Sequence, residues 1–222
     1  MSTPTQVLVM AKAPVAGRVK TRLGQDVGME LAAELAAAAL LDTLDACTAY
    51  AGGSCWLALD GNLRGAVRGL ELESRLSSWT VFEQVGQSFA ERLIQAHAAV
   101  PGPVVQIGMD TPQLTPADLA GVASGLSGYD AVLAPAEDGG WWALALRDPL
   151  HASALRGVEM STSDTYLDTL AALQAAGLRV GTAATLRDID DRADAQAVAA
   201  ATSGAFARAW LRDTPPSDRS IR

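Results

Sequence analysis

The stretch from Val7 to Leu23 reads VLVMAKAPVAGRVKTRL, and it constrains the fold more tightly than any other part of the chain. VLVM is an unbroken apolar run with two β-branched residues, the pattern of a strand buried on both faces. The loop after it holds Pro14 and Gly17 and carries Lys12, Arg18, Lys20 and Arg22 within eleven residues, with no carboxylate. It contains no GxGxxG turn, so a dinucleotide fingerprint is excluded. The whole chain has 17 basic and 25 acidic residues, a formal charge of −8, so this cationic cluster runs against the background. Lys and Arg at the mouth of a parallel strand suit a polyphosphate clamp, Arg by bidentate contacts. A solvated basic loop is the alternative.

A chain of 222 residues, 49% of them hydrophobic, fits one α/β domain with a large core. We expect a single domain over 1–213 and a polar tail over 214–222, TPPSDRSIR. No apolar run approaches the roughly 20 residues of a membrane span, and MSTPTQ leads into the first strand without a leader pattern. These features make a cytoplasmic protein the expectation, with no membrane partner. The negative charge argues against nucleic acid as a partner. Two Cys and two His cannot assemble a zinc site of the usual ligands. Any metal is therefore expected to be hard and oxygen-bound, Mg²⁺ or Mn²⁺. Cys47 and Cys55 leave a disulfide open, with two reduced thiols the expected state in the cytoplasm.

Further along, Met29–Ala49 has helical spacing and no breaker. Strands are expected at Cys55–Leu59, Thr80–Gln84, Val104–Gly108, Asp130–Ala134 and Val180–Ala184, with a short helix between the first two and another at His151–Gly157. Ser88 and Glu91 form a capping box. In GMDTPQLT, Thr115, Pro116 and Asp118 supply a cap, a proline at the first helical position and a first-turn acid. Asp110 is thereby free of capping duty at the carboxyl end of a central strand, where open α/β sheets bind ligands. It is our candidate for a divalent-cation ligand; a turn-forming Asp is the alternative. In APAEDGGWWALAL, Asp138, Gly139 and Gly140 read equally as a hairpin turn or as a site, with Asp138 a second metal ligand or an acceptor-binding group. Trp141 and Trp142 point to opposite faces of a strand, so only one can line a pocket. In MSTSDTYLDTL, Thr162 or Ser163 is the expected helix cap, with the helix closing at Gly177. Among the four Asp from 188 to 194, Asp191 and Asp194 are expected to cap the final helix. Asp188 and Asp190 remain candidate metal ligands.

These blocks resemble a known family. MAKAPVAGRVKTRLG is similar to AKxPxxGxVKTRLG, GMDTPQLT to GxDxPxLT, and APAEDGGWWALAL to GPAxDGGYxLxGL with Trp141 in place of Tyr. MSTSDTY resembles WSTxxV with Met160 in place of Trp, and residues 186–194 resemble DxDTxEDL. The pattern, covering most of the chain to about Ala195, is that of GT-A-fold proteins related to nucleotide-diphospho-sugar transferases. They are commonly labelled glycosyltransferases, with phospholactate guanylyltransferase and the molybdopterin nucleotidyltransferases among their relatives. The resemblance implies a three-layer α/β/α, Rossmann-like GT-A fold with a mostly parallel sheet. It implies nucleotide and phosphate contacts at Lys12, Gly17, Arg18, Lys20, Arg22, Gln84 and Gly86, with Gln84 and Gly86 reading the base. Lys20, Asp110 and Asp138 would be catalytic, and Asp110, Asp188 and Asp190 metal ligands. Gly139, Gly140, Trp141, Ser161 and Thr162 would face the acceptor. Partners would be an NTP or nucleotide-sugar and a small acceptor.

No Ser-His-Asp or Cys-His arrangement points to a hydrolase. The expected activity is metal-dependent transfer, leaning to nucleotidyl transfer from an NTP because the acidic motif is a single GxDxP and the chain is short. Glycosyl transfer from a nucleotide-sugar is the alternative, and a non-catalytic nucleotide-binding regulator the third reading. Base, sugar, acceptor and oligomeric state are not specified by the sequence.

Overall fold

The computed structural model describes residues 4–50 and 52–214. In chain order its elements are β1 (Gln6–Lys12), α1 (Thr21–Val27), α2 (Met29–Ala49), β2 (Cys55–Asp60), α3 (Gly69–Arg75), β3 (Thr80–Glu83), α4 (Phe89–Ala98) and β4 (Val104–Ile107). Then follow α5 (Pro116–Gly125), β5 (Ala131–Pro135), β6 (Trp141–Leu146), α6 (Thr165–Ala175), β7 (Val180–Thr182), α7 (Arg192–Ala201) and α8 (Ala205–Asp213). A 3-10 segment, Pro149–Leu155, occupies the place of the short helix expected at 151–157. The seven strands form one sheet in the order β3-β2-β1-β4-β6-β5-β7. Only β6 is antiparallel to its neighbours, β4 and β5. The mostly parallel three-layer α/β/α architecture is thus present.

The alternation of side chains along β1 divides the core in two. Val7, Val9 and Ala11 join one apolar cluster with Leu40, Leu44 and Leu119 from α2 and α5. Leu8 and Met10 join the other with Leu93 from α4 and Leu173 from α6. A strand covered on both faces must be apolar throughout, and only Lys12, at its carboxyl end, escapes burial. Helix α2 is itself enclosed. Its Leu40, Leu41 and Leu44 pack on the sheet, while Ala32, Leu35 and Ala39 pack against α1, α7 and α8. Alanine-rich composition suits a helix pressed from both sides.

Between β1 and β4 the order of connection reverses, because β1 leads outward to β2 and β3 while β4 begins the other half. Such a switch point opens a crevice at the carboxyl ends of the strands. There the chain places Lys12 and the loop to Lys20 on one side, and Asp110 on the other.

Several sequence expectations need correction. Asp164, without a side-chain cap, begins α6; Thr162 and Ser163 do not cap it, although the Thr162 hydroxyl accepts the Asp164 N–H at 3.3 Å. Asp191 and Asp194 do form a capping box, but on α7, and α8 follows it. Cys47 and Cys55, by contrast, are both free thiols, as expected. Of the tail expected over 214–222, all but Thr214 lies outside the described residues, as do residues 1–3 of the segment before β1. No helix among the described residues is long and apolar enough to cross a membrane.

Candidate functional site

Local geometry splits the cationic loop into two groups. Gly17 takes φ 75°, in the left-handed region that glycine enters without steric cost. The Arg18 N–H donates to the Val15 carbonyl at 3.0 Å, closing a turn that leaves Arg18 exposed. Lys12, Gly17 and Arg18 line an open cleft of about 620 Å³ whose far wall includes Asp60, Asn62 and Arg64. Lys20 and Arg22 turn away from that cleft toward the acidic segments. Lys20 stands before α1 at φ 44°, ψ 45°, a left-handed conformation disfavoured for a side chain larger than glycine.

The Lys20 ammonium lies 2.7 Å from Asp110 Oδ2 and 3.3 Å from Asp190 Oδ1. Its side chain is 14% exposed, against 30% for Asp110 and 39% for Asp190. Leu23, Met109, Ile189 and Phe206 provide an apolar floor beneath the pair. Burial pulls the Lys20 pKa down, but attraction and hydrogen bonding to Asp110, then Asp190, outweigh it, so the group stays charged. Arg22 meets the other Asp190 oxygen at 3.3 Å.

Backbone pairing brings the late aspartates to this point. Residues 186–190 run across the carboxyl ends of β4 and β5. The Leu186 N–H donates to Pro135 O at 3.3 Å, the Glu137 N–H to Leu186 O at 3.1 Å, and the Ile189 N–H to Asp110 O at 3.2 Å. Gln113 Nε2 donates to the Arg187 carbonyl at 2.6 Å. Arg187 is paired in turn with Glu137 and Asp194. The Thr111 hydroxyl donates to Asp188 Oδ1 at 3.0 Å. Burial, with the Asp110 and Asp138 carboxylates adding to it, pushes Asp188 up to about 7. Asp110, Asp188 and Asp190 are therefore neighbours, and Asp138 is close enough to be felt. Among the described residues, however, no three His, Cys, Asp or Glu side chains are gathered as a ready metal cage. Two carboxylates aimed at one cationic point are nonetheless a hard, all-oxygen donor set of the kind that suits Mg²⁺ or Mn²⁺.

The remaining candidates sit apart. Gln84 Nε2 donates to Ala11 O and Ala58 O, both at 2.9 Å. Its donors are thus committed to the ends of β1 and β2, which leaves its oxygen for any base. Gly86, at φ 140°, accommodates the start of α4, since a Cβ there would come within 2.8 Å of the Arg92 nitrogen. Asp138 Oδ1 accepts the Gly140 N–H at 2.8 Å, the turn-former's bond. Gly139, at φ 90°, leaves no room for a Cβ against the Ser163 carbonyl. Trp141 donates to Thr169 at 3.1 Å and packs in the second core, while Trp142 is buried in the first and donates to Ala184 O. Pro135 pairs with Trp141 and Ala134 with Ala143, so Trp142 is the extra residue of a bulge. Ser161 (φ 64°) and Thr162 lie in the turn before α6.

Three contributors are not evident in the sequence. Asn62 and Arg64 line the cleft from the loop after β2. Gly108 admits the Asp110 carboxylate, because a Cβ there would meet Asp110 Oδ1 at 2.8 Å. The glycine of GMD is the one signal that points to it.

The fold and its crevice define a GT-A-like protein, a three-layer α/β/α domain with a mostly parallel sheet. The chain belongs to the family described as "Uncharacterized protein conserved in bacteria (DUF2064)", whose model matches residues 43–162. That match includes the Asp110 and Asp138 motifs but begins after the cationic loop. Among solved structures, the chain is similar to a protein of Desulfovibrio desulfuricans G20 named, provisionally, a nucleotide-diphospho-sugar transferase. Identity is 26% over 86% of this chain and 84% of that one, with a TM-score of 0.72. CMP:2-keto-3-deoxy-manno-octonic acid synthetase complexed with CTP shares the fold at 13% identity, 87% and 96% coverage and a TM-score of 0.54. So does Rv0371c of Mycobacterium tuberculosis H37Rv complexed with manganese, at 20% identity, 88% and 98% coverage and a TM-score of 0.51. No curated protein sequence matches.

Proposed function

We propose that this protein is a divalent-metal-dependent nucleotidyltransferase that moves a nucleotidyl group from an NTP to a small phosphorylated or hydroxylated acceptor. The observation that carries the reading is the meeting of Lys20 with Asp110 and Asp190, together with a basic cleft lined by the loops after β1 and β2, the first of which also carries Lys20. The CTP and manganese complexes of two proteins that share the fold are consistent with it.

In this reading Lys12, Arg18 and Arg64 grip the phosphate chain from the walls of the cleft. Lys20 meets the phosphates at the end nearer Asp110. Asp110 and Asp190, with Asp188 behind them, would hold Mg²⁺ or Mn²⁺, which when bound neutralises charge on phosphate oxygens. An acceptor oxygen attacks the α-phosphorus, the bond to the bridging oxygen breaks, and pyrophosphate leaves with the electron pair. Fixed cations aimed at the leaving phosphates stabilise the charge that develops there, and positioning does most of the work. Gly139, Gly140, Trp141, Ser161 and Thr162, around the β5–β6 turn, are the proposed acceptor side.

Glycosyl transfer from a nucleotide-sugar is the second reading, favoured by the name of the Desulfovibrio protein. Product analysis separates the two. The purified chain is incubated with Mg²⁺, candidate acceptors and either NTPs or nucleotide-sugars. Acceptor-dependent pyrophosphate release is the expected result; release of a nucleoside diphosphate from a nucleotide-sugar, with no pyrophosphate from any NTP, overturns the proposal.

A further inference from the structure

The same junction has an ordering consequence, which rests on the metal-dependent reading above. Asp110 follows β4 and Asp190 precedes α7, two segments far apart in sequence, yet both carboxylates close on a single Lys20 nitrogen at 2.7 and 3.3 Å. The backbone of Lys20 is held left-handed to bring it there. A divalent ion taking an Asp110 oxygen needs a contact of about 2.0–2.1 Å for Mg²⁺. An ammonium already sits on that oxygen, and two cations cannot share the seat without strong repulsion at such range. Leaving is also costly for Lys20 in the absence of another anion, because the apolar floor of Leu23, Ile189 and Phe206 offers it no partner. Asp190 has a different position, since its second oxygen also meets the Arg22 guanidinium at 3.3 Å. The anion that could draw Lys20 away must carry several charges and reach the cationic loop that Lys20 belongs to.

We propose that Lys20 is a built-in counter-cation that closes the Asp110–Asp190 pair to free divalent ions and yields the seat only when a polyphosphate engages the loop. Metal binding is then coupled to substrate: the ion arrives with the polyphosphate or after it, never before. A transferase built this way does not bind a free metal ion ahead of its substrate.

Mn²⁺ titration followed by water-proton relaxation tests this without turnover. It uses the full chain, first with Mn²⁺ alone and then with Mn²⁺ and inorganic triphosphate. Three proteins are compared: wild type, Lys20→Met, and Lys20→Met combined with Asp110→Asn. Wild type is expected to bind Mn²⁺ alone weakly and to form a protein-bound complex once triphosphate is present. Lys20→Met is expected to bind Mn²⁺ alone at least roughly tenfold more tightly, a gain that Asp110→Asn removes. Circular dichroism verifies folding, and Lys20→Gln, which keeps the chain length and a polar end, replaces Lys20→Met should the latter not fold. Tight binding of Mn²⁺ alone by wild type overturns the proposal, as does the absence of a gain on removing the ammonium or a gain that survives Asp110→Asn. Should NTPs bind wild type with Mn²⁺ while Lys20→Met gains nothing, the nucleotidyltransferase reading stands and the counter-cation role falls.

Discussion

Asp188 shows what the crevice does to a single side chain. Burial, then the carboxylates of Asp110 and Asp138, raise it to about 7, against the opposing Thr111 hydrogen bond and Lys20 charge. An acid whose pKa rises on folding holds its proton more firmly folded than unfolded, so stability falls as pH climbs from the ordinary carboxylate range through about 7. In metal-free protein Asp188→Asn should therefore raise the melting temperature, and by more at pH 8 than at pH 5. Thermal melts across that window check this, and a pH-independent difference would contradict it. Gly108 makes the complementary case. Gly108→Ala puts a methyl 2.8 Å from Asp110 Oδ1, which a carboxylate can evade by rotating. We expect little change in melting temperature but a loss of about tenfold or more in metal-dependent nucleotide affinity, measured by titration calorimetry. Asp110 stood out as a candidate because it follows the buried strand β4, and Lys20 because it belongs to a cationic loop in an acidic chain; the structure brings the two side chains to 2.7 Å. The placement of the late aspartates was not legible: spacing identified Asp191 and Asp194 as caps and left Asp188 and Asp190 as candidates, but it could not say that residues 186–190 pair with the ends of β4 and β5.

At the scale of elements, local signals carried the helices that cap themselves. Ser88–Glu91 and Thr115–Asp118 form the capping boxes their sequences spell, and α2 has the bounds its unbroken periodicity gives. Helix α8 is different. It starts at Gly204 without a local side-chain cap; its first N–H groups, of Ala205 and Phe206, donate at 2.6 and 2.9 Å to Asp42 on α2. A cap supplied from more than 160 residues away leaves no mark near the helix it starts. Asp42→Ala should cost about 1 kcal/mol, read from denaturant unfolding, while Asp42→Asn, which retains an acceptor, should cost less. The hairpin between β5 and β6 has a similar long-range tie, since Gly139 rests against the Ser163 carbonyl and its own carbonyl accepts the Tyr166 N–H at 2.9 Å. Gly139→Ala loses the permissive φ and the close approach together. About 1–2 kcal/mol is expected from the backbone angle alone, with the collision adding to it.

Over the whole molecule, the crevice follows from topology. Parallel strands with buried, β-branched runs demand helices on both faces, and the reversal of connection between β1 and β4 leaves a gap where their carboxyl ends meet solvent. The sequence made that architecture readable through β1, β4 and the family motifs. It did not reveal the division of the cationic loop, in which Lys12 and Arg18 face a cleft while Lys20 and Arg22 face carboxylates, because that division depends on one left-handed turn at Lys20. On the proposed reading these two groups of charges form one metal–polyphosphate site. Thermal unfolding of wild type and Asp110→Asn, each with an NTP and Mn²⁺, tests it most directly across a panel of the four bases and the common nucleotide-sugars. For at least one NTP at about a hundred times its Kd, wild type is expected to gain about 2.7 kcal/mol of stability and Asp110→Asn little. No stabilisation of wild type by any nucleotide, or equal stabilisation of both proteins, would contradict it.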